Sequence, residues 1–208
     1  ATSFSPFRPL ALMVDAIRLG EGSLAVGEQA PVTSFTSIAS GAIRAEDDDR
    51  PLHLQFRRFA GCPICHLHLH SFLRRASELD PHVREVVFFH SSVEELRPHL
   101  AHLPPVTIAD PDKRIYRAFG VEAGRRALLH PKAILAALLS SAVASYRIVQ
   151  GRQALPARLP QGGRFGLPAD FLVSRAGRIL ACHYGLHADD QWSVDDVLEL
   201  ARRPDRLE

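Results

Sequence analysis

Cysteine is scarce in this chain, three residues in 208, too few to staple a fold of this length, so a disulfide scaffold is excluded. A surplus of charge of one sign is lacking too. Twenty-five Lys and Arg stand against 23 Asp and Glu, for a net charge of +2. That balance supplies no phosphate-binding surface, and nucleic acid is not an expected partner. Long apolar runs are also missing. The most apolar stretch, residues 133–149, carries Ser140, Ser141, Ser145, Tyr146 and Arg147 and falls short of the roughly 18 uninterrupted residues of a membrane span. Near the N-terminus, the run Leu10-Ala11-Leu12-Met13-Val14 is cut off by Asp15 and Arg18 before it reaches signal-peptide length. The expectation is therefore no membrane, no export signal and a cytoplasmic location. There is no internal repeat and no low-complexity tract, and 46% hydrophobic with 23% charged residues describes an ordinary globular chain, excluding disorder and collagen. A chain of this size buries one sizeable core, so a single domain over 1–208 is expected.

The acidic run Glu46-Asp47-Asp48-Asp49 reads as a solvated turn. After it, Leu52, Leu54 and Phe56 alternate with His53, Gln55 and Arg57 at period two, the signature of a strand. From Pro63 to Leu79 the apolar residues Leu67, Phe72, Leu73, Ala76 and Leu79 recur at helical spacing, so Gly61-Cys62 sits where a strand becomes a helix. Val86 to Phe89 reads as a buried strand, 93–103 as a helix despite Pro98, Val106 to Ile108 as a strand, and the residues around Ile115, Tyr116 and Phe119 as a short helix. This is βαβα order. Residues 169–173 and 177–182 flank a turn as a hairpin, and Ser193 caps a last helix holding Val194, Val197, Leu198 and Leu200. Residues 1–25 stand apart as an N-terminal extension. A segment of about 124–166, one apolar helix followed by a stretch rich in Pro, Gly and Arg, reads as an insertion that covers the site or a partner surface.

Chemistry concentrates at Cys62-Pro63-Ile64-Cys65. Two cysteines at i and i+3 on a first helical turn share a face and lie close enough to form a disulfide. The unpaired N–H groups and positive dipole end of that helix stabilise a thiolate at Cys62 more than at Cys65, which makes Cys62 the expected nucleophile. The same residues admit two other readings. Cys62 to His66 matches a haem attachment pattern, and Cys62, Cys65 and His66, with His70 on the same helix face, would form a metal-binding or redox-sensing module, although a second paired set of ligands is absent. His68, two residues from each of its histidine neighbours, falls on the opposite face and is expected on solvated helix surface. Cys182 is expected to be a small buried strand residue, and Tyr184 and Trp192 to be packing aromatics.

The segment Phe56-Arg57-Arg58-Phe59-Ala60-Gly61-Cys62-Pro63-Ile64-Cys65 resembles the strand-to-helix active-site segment of thioredoxin-fold proteins, in particular the peroxiredoxin-like branch of the alkyl hydroperoxide reductase and thiol-specific antioxidant superfamily. Val26 to Pro31 is similar to that superfamily's opening segment. Ala109 to Asp112 with Tyr116, Phe119 and Gly120 is similar to its middle, and Leu167 to Val173 through Gly177-Arg178-Ile179 to its late hairpin. Peroxiredoxins proper carry Thr or Ser three residues before the reactive cysteine and Pro four before that; here Phe59 and Gln55 stand at those positions. The resemblance implies an α/β, thioredoxin-like three-layer fold with a central mixed sheet, and an oxidoreductase that needs no cofactor or metal. In it Cys62 attacks a peroxide or a disulfide and Cys65 resolves the product to a disulfide. It further implies an external thiol donor, a thioredoxin-type protein or a low-molecular-weight thiol, and is compatible with a homodimer. Arg58 aligns with an arginine that favours the thiolate, the alternative being a surface ion pair. Pro63 and Pro168 are implied on the substrate side, with Pro168 expected to be cis and facing the thiols.

Overall fold

The computed structural model describes residues 22–121, 131–150, 154–155, 160–163 and 165–202, with side chains of the 131–149 helix from residue 137 onward. Most of the expected N-terminal extension, and residues 122–130, 151–153, 156–159 and 164 in and beside the expected insertion, lie outside the described residues. The strands are β1 (Ser34–Ser37), β2 (Gly41–Arg44), β3 (Leu52–Arg57), β4 (Arg84–Phe89), β5 (Thr107–Ala109), β6 (Ala169–Val173) and β7 (Ile179–Tyr184). The helices are α1 (Pro63–Arg74), α2 (Ala76–Leu79), α3 (Val93–Leu96), α4 (Arg114–Ala118), α5 (Pro131–Val149) and α6 (Val194–Ala201). Five strands form a mixed sheet in the order β5-β4-β3-β6-β7. The β3–β4 and β4–β5 pairs are parallel and the β3–β6 and β6–β7 pairs antiparallel. Parallel pairing follows from the intervening helices, antiparallel pairing of β6 and β7 from the tight turn at Gly177, which has φ +79°.

Period-two alternation sorts the strands' side chains onto two buried faces. Leu54, Phe56, Val86, Phe88, Phe171 and Val173 form one core with Tyr116 and Phe119 from around α4 and Phe35 and Ile43 from the β1–β2 hairpin. That hairpin has no counterpart in the sequence reading: its strands are four residues long and offer one or two apolar side chains each. On the other face, Val87, Phe89, Leu172 and Leu180 pack beneath α1, α3 and α6. α5, the described helix of the expected insertion, lies against α1. Ser193 caps α6 as expected, in a reciprocal capping box with Asp196.

Two helices end earlier than their apolar spacing suggests. The first breaks at Arg75, whose N–H is shared between the Ser71 and Phe72 carbonyls and whose guanidinium pairs with Glu78 and Asp195. The 93–103 segment becomes a 3-10 turn, Arg97–His102, because Pro98 has no N–H for an α-helical bond. The acidic run forms a 3-10 turn over Ala45–Asp47. Its Asp48 is not solvated: it pairs with Arg50 at 2.7 Å, which holds its carboxyl at about 2.

The polar residues that alternate along β3 are also buried, and they meet one another rather than water. Arg57 Nη2 and Nη1 bond to the Asp170 carboxylate at 2.7 and 3.3 Å. His53 lies between Glu85 at 2.9 Å and Asp170 at 3.3 Å, and Gln55 bridges Glu85 and Arg57. The His53 ring is flanked by Phe72 and Trp192, at centroid distances of 5.7 and 5.8 Å. Burial alone would lower the His53 pKa, but the Glu85 and Asp170 carboxylates outweigh it and raise it to about 9. Because this is above the ordinary value of 6.5, the imidazolium contributes stability that is fully present below about pH 6.5 and lost as pH rises through about 9. Urea midpoints should therefore fall across that interval, and His53→Gln should flatten the decline; an equal slope in both proteins would remove His53 from the account.

Candidate active site

The thiols are placed by the end of β3 and the start of α1. Beyond Arg57 the chain turns at Phe59 to Cys62, where the Cys62 N–H bonds to the Phe59 carbonyl at 3.1 Å and Gly61 takes φ +76°, a conformation that a β-carbon disfavours. Cys62 is the N-cap of α1 and half-buried Pro63 opens the helix, where its missing N–H costs no bond. Ser91 supports the turn by accepting the Ala60 N–H at 3.0 Å.

Both cysteines are free, and the Cys65 thiol donates to the Cys62 sulfur at 2.9 Å. Arg58 Nη1 stands 3.7 Å from the same sulfur. Burial opposes charge on Cys62. The bond from Cys65, the Arg58 guanidinium and the backbone N–H groups of Cys65 and Ile64 outweigh it and lower the Cys62 pKa to about 6. Cys65 moves the other way, pushed well above the ordinary thiol range by burial and by the neighbouring Cys62 sulfur. Arg58 is 4% exposed, which rules out the surface ion pair, and its guanidinium also lies 5.3 Å from the Phe59 ring centroid. Cys62 and Cys65 are 0% and 1% exposed, so both sulfurs are covered.

Cys62, Cys65, Arg58 and Pro63 thus come together, whereas Pro168 departs from expectation. No cis peptide bond occurs among the described residues, so Pro168 is trans. Trans is the intrinsically favoured isomer by about 0.5–1 kcal/mol, and here the Pro168 carbonyl joins the hairpin ladder by accepting the Gly185 N–H at 2.9 Å. The histidines also rearrange the expectations. His66 is buried and its ring meets His99 at a centroid distance of 5.2 Å; burial and the neighbouring His99, His102 and Arg147 lower its pKa to about 4. Among the described residues, no group of three or more His, Cys, Asp or Glu is arranged to hold a metal. His68 is not solvated: its face of α1 looks onto the sheet, with Nε2 3.3 Å from Arg57 and the ring 5.0 Å from Phe72. Cys182 and Tyr184 pack against the large core, and the Tyr184 hydroxyl is tied to Phe119 and Leu24. Trp192 packs against the α6 core.

Sequence reading missed His90. It follows β4, beside Arg58, to whose carbonyl its N–H donates at 3.1 Å. Its ring is buried and, among the described residues, neither nitrogen has a side-chain hydrogen-bond partner; burial, Lys113 and Arg58 outweigh its own backbone and lower its pKa to about 4. Gly162 and Gly166, from the expected insertion, press against it: a β-carbon on either would come within 3 Å of a ring nitrogen. The only sequence signal was a histidine closing an apolar strand.

No protein-family model matches the sequence, and no curated protein matches it. Solved structures do share the fold. Peroxidoxin BcpB from Mycobacterium tuberculosis superposes with a TM-score of 0.58 at 14% identity, over 86% of this chain and 97% of its own. A protein assigned as the thiol:disulfide interchange protein DsbE from Chlorobium tepidum gives 0.53 at 16%, over 86% and 99%. Reduced Prx3 from Vibrio vulnificus, in complex with hydrogen peroxide, gives 0.54 at 10%, over 86% and 99%. The chain therefore has the thioredoxin fold, with the mixed central sheet expected from its sequence. Among the described residues no helix is long and apolar enough to cross a membrane.

Proposed function

We propose that this thioredoxin-fold chain is a dithiol oxidoreductase in which Cys62 is the nucleophile, Cys65 the resolving thiol and Arg58 the cation that holds the Cys62 thiolate. The observation that carries the reading is the convergence on one sulfur, at a helix start, of the Cys65 thiol at 2.9 Å and the Arg58 guanidinium at 3.7 Å. With a hydroperoxide, the Cys62 thiolate attacks one peroxide oxygen and the O–O bond breaks. The alcohol or water leaves after taking a proton, and Cys62 becomes a sulfenic acid. Cys65 then loses its proton and attacks the Cys62 sulfur, water leaves, and a disulfide joins the two residues. With a disulfide substrate, Cys62 forms a mixed disulfide and expels one thiol, and Cys65 expels the other. In the peroxide reaction an external thiol donor, of thioredoxin type or of low molecular weight, reduces the Cys62–Cys65 bridge, its two thiols becoming a disulfide. The solved neighbours, a peroxidoxin and a disulfide-interchange protein among them, support thiol chemistry on this fold.

The test is rapid-mixing oxidation of the reduced, metal-free protein by hydrogen peroxide and, separately, by an oxidised thioredoxin-type disulfide, with the Cys62–Cys65 bridge read by mass spectrometry. A bridge with either oxidant supports the reading, and no bridge with both rejects it. A second expectation follows from the thiolate. Alkylation of Cys62 by iodoacetamide should rise with pH through a midpoint near 6 and then level off, because the depressed pKa keeps the thiolate populated above that value. A midpoint in the ordinary range near 9 would remove the argument for Cys62 as nucleophile.

A further inference from the structure

The covered thiols raise the question of what covers them. Tyr184, the last residue of β7, pairs with Ala169, and Ala169 pairs with Phe56 near the end of β3, so the segment leaving β7 emerges at the thiol end of the sheet. It runs from Gly185 to Trp192 before α6 begins. Its tip, Ala188, is 1% exposed and belongs to the same apolar cluster as Phe59, Ala60, Cys62, Ile64 and Cys65.

Gly185 is fixed to Pro168 by its N–H, and a side chain there would strike Pro168 and the Asp190 carbonyl. The Trp192 N–H reaches Asp170 at 3.3 Å. Between these ends, Asp190 makes three attachments. One carboxylate oxygen accepts the Leu186 N–H at 2.8 Å, the other pairs with His183 Nε2 of β7 at 3.1 Å, and the Asp190 N–H closes the turn onto the His187 carbonyl at 3.0 Å. The Asp190 and His183 side chains are only 28% and 32% exposed, so their attraction is less screened than that of a surface pair.

We propose that the 185–190 loop, latched by Asp190 to His183, is the specificity element of the reduced site: with Ala188 buried in the apolar cluster that holds the thiols, it admits a small hydroperoxide to Cys62 and excludes bulky hydroperoxides. The substrate part of this proposal rests on the dithiol reading above; the cover itself does not. A small electrophile reaches the sulfur through a brief local opening, whereas a bulky one needs the loop displaced, and removing the latch makes displacement easier.

The experiment uses the full chain, reduced, and compares Cys62 alkylation by iodoacetamide and by a polyethylene-glycol maleimide, each scaled to its rate with a free thiol. In the unsubstituted protein the large reagent should lag well behind the small one. Asp190→Ala should speed the large reagent by about fivefold to tenfold, more than it speeds the small one, and His183→Gln should act in the same direction, since each removes the same charged hydrogen bond. Cys182, which packs on the opposite face of the sheet, reports unfolding: its rate should stay unchanged. Equal scaled rates for the two reagents in the unsubstituted protein would overturn the cover. So would an unchanged size preference in Asp190→Ala, or acceleration of Cys182 in step with Cys62. Bridge formation with hydrogen peroxide and with cumene hydroperoxide tests the substrate part: the first should be preferred, and Asp190→Ala should narrow the preference. Size-dependent alkylation with no bridge from either peroxide keeps the cover and rejects the substrate assignment, and the absence of a bridge with the oxidised thioredoxin-type disulfide as well rejects the dithiol reading; bridging with no size preference rejects the inference and keeps the dithiol reading.

Discussion

Cys62→Ser should reduce oxidant-driven turnover by about a thousandfold or more, because no other thiol in the site is held as a thiolate. Cys65→Ser should behave differently. The first step survives, since Cys62 keeps its helix start and Arg58, but the product stalls as a sulfenic acid or a mixed disulfide that mass spectrometry can trap. The two losses are unequal because burial and the adjacent sulfur push the Cys65 thiol up while the hydrogen bond from residue 65, Arg58 and the backbone N–H groups bring Cys62 down. Arg58→Met should separate the guanidinium from the helix start: the alkylation midpoint should climb from about 6 toward the ordinary thiol range without reaching it. Equal rates of the first oxidation step in the two cysteine variants would sink the division of roles, and an unmoved midpoint in Arg58→Met would sink the role of the guanidinium.

The second large effect is on stability. Asp170→Asn should cost about 3–5 kcal/mol, because it leaves the Arg57 guanidinium and the His53 imidazolium buried without the carboxylate that both face. For a chain of this size that is a drop in Tm of roughly 10 °C. Burial by itself would raise the Asp170 pKa, but Arg57 and His53 hold it well below the usual carboxylate range, so the group is ionised at neutral pH. Arg44→Ala provides the contrast: its pair with Glu46 is exposed on both sides and its removal should fall within experimental error. Thermal and urea unfolding at neutral pH decide the matter, and a midpoint in Asp170→Asn equal to that of the unsubstituted protein would show that the network carries no net stability.

The two predictions differ in how far their residues were legible beforehand. Cys62 and Cys65 stand at i and i+3, and a strand running into a helix is a local event, so their meeting could be anticipated from spacing alone, whereas the place of Arg58 beside them was implied only by the resemblance. The period-two pattern of β3 likewise identified a strand. What it leaves open is where the polar face goes, because His53, Gln55 and Arg57 would read identically against solvent. Their burial depends on Asp170, more than a hundred residues away, and on Glu85 from a neighbouring strand. The same holds for His68, whose helix face was assigned correctly as opposite to His66 but whose surroundings depend on α1 lying across the sheet. The β1–β2 hairpin was illegible for another reason, its strands being too short to establish a period.

By itself, then, the sequence determined the local elements: the strand into the Cys-x-x-Cys helix, the βα alternation, the closing hairpin and the Ser193 cap. Each is set by periodicity, turn chemistry or capping over a few residues. Only the tertiary structure decided the trans Pro168, the buried partners of β3, the placing of His90 under Gly162 and Gly166, and the burial of Ala188 in the apolar cluster that holds the thiols. These depend on pairs far apart in the chain, whose joint burial no local pattern encodes. Charge is the physical reason the difference matters here: the same arginine or histidine is a solvated surface group or a buried ion according to which distant carboxylate or sulfur the fold brings to it.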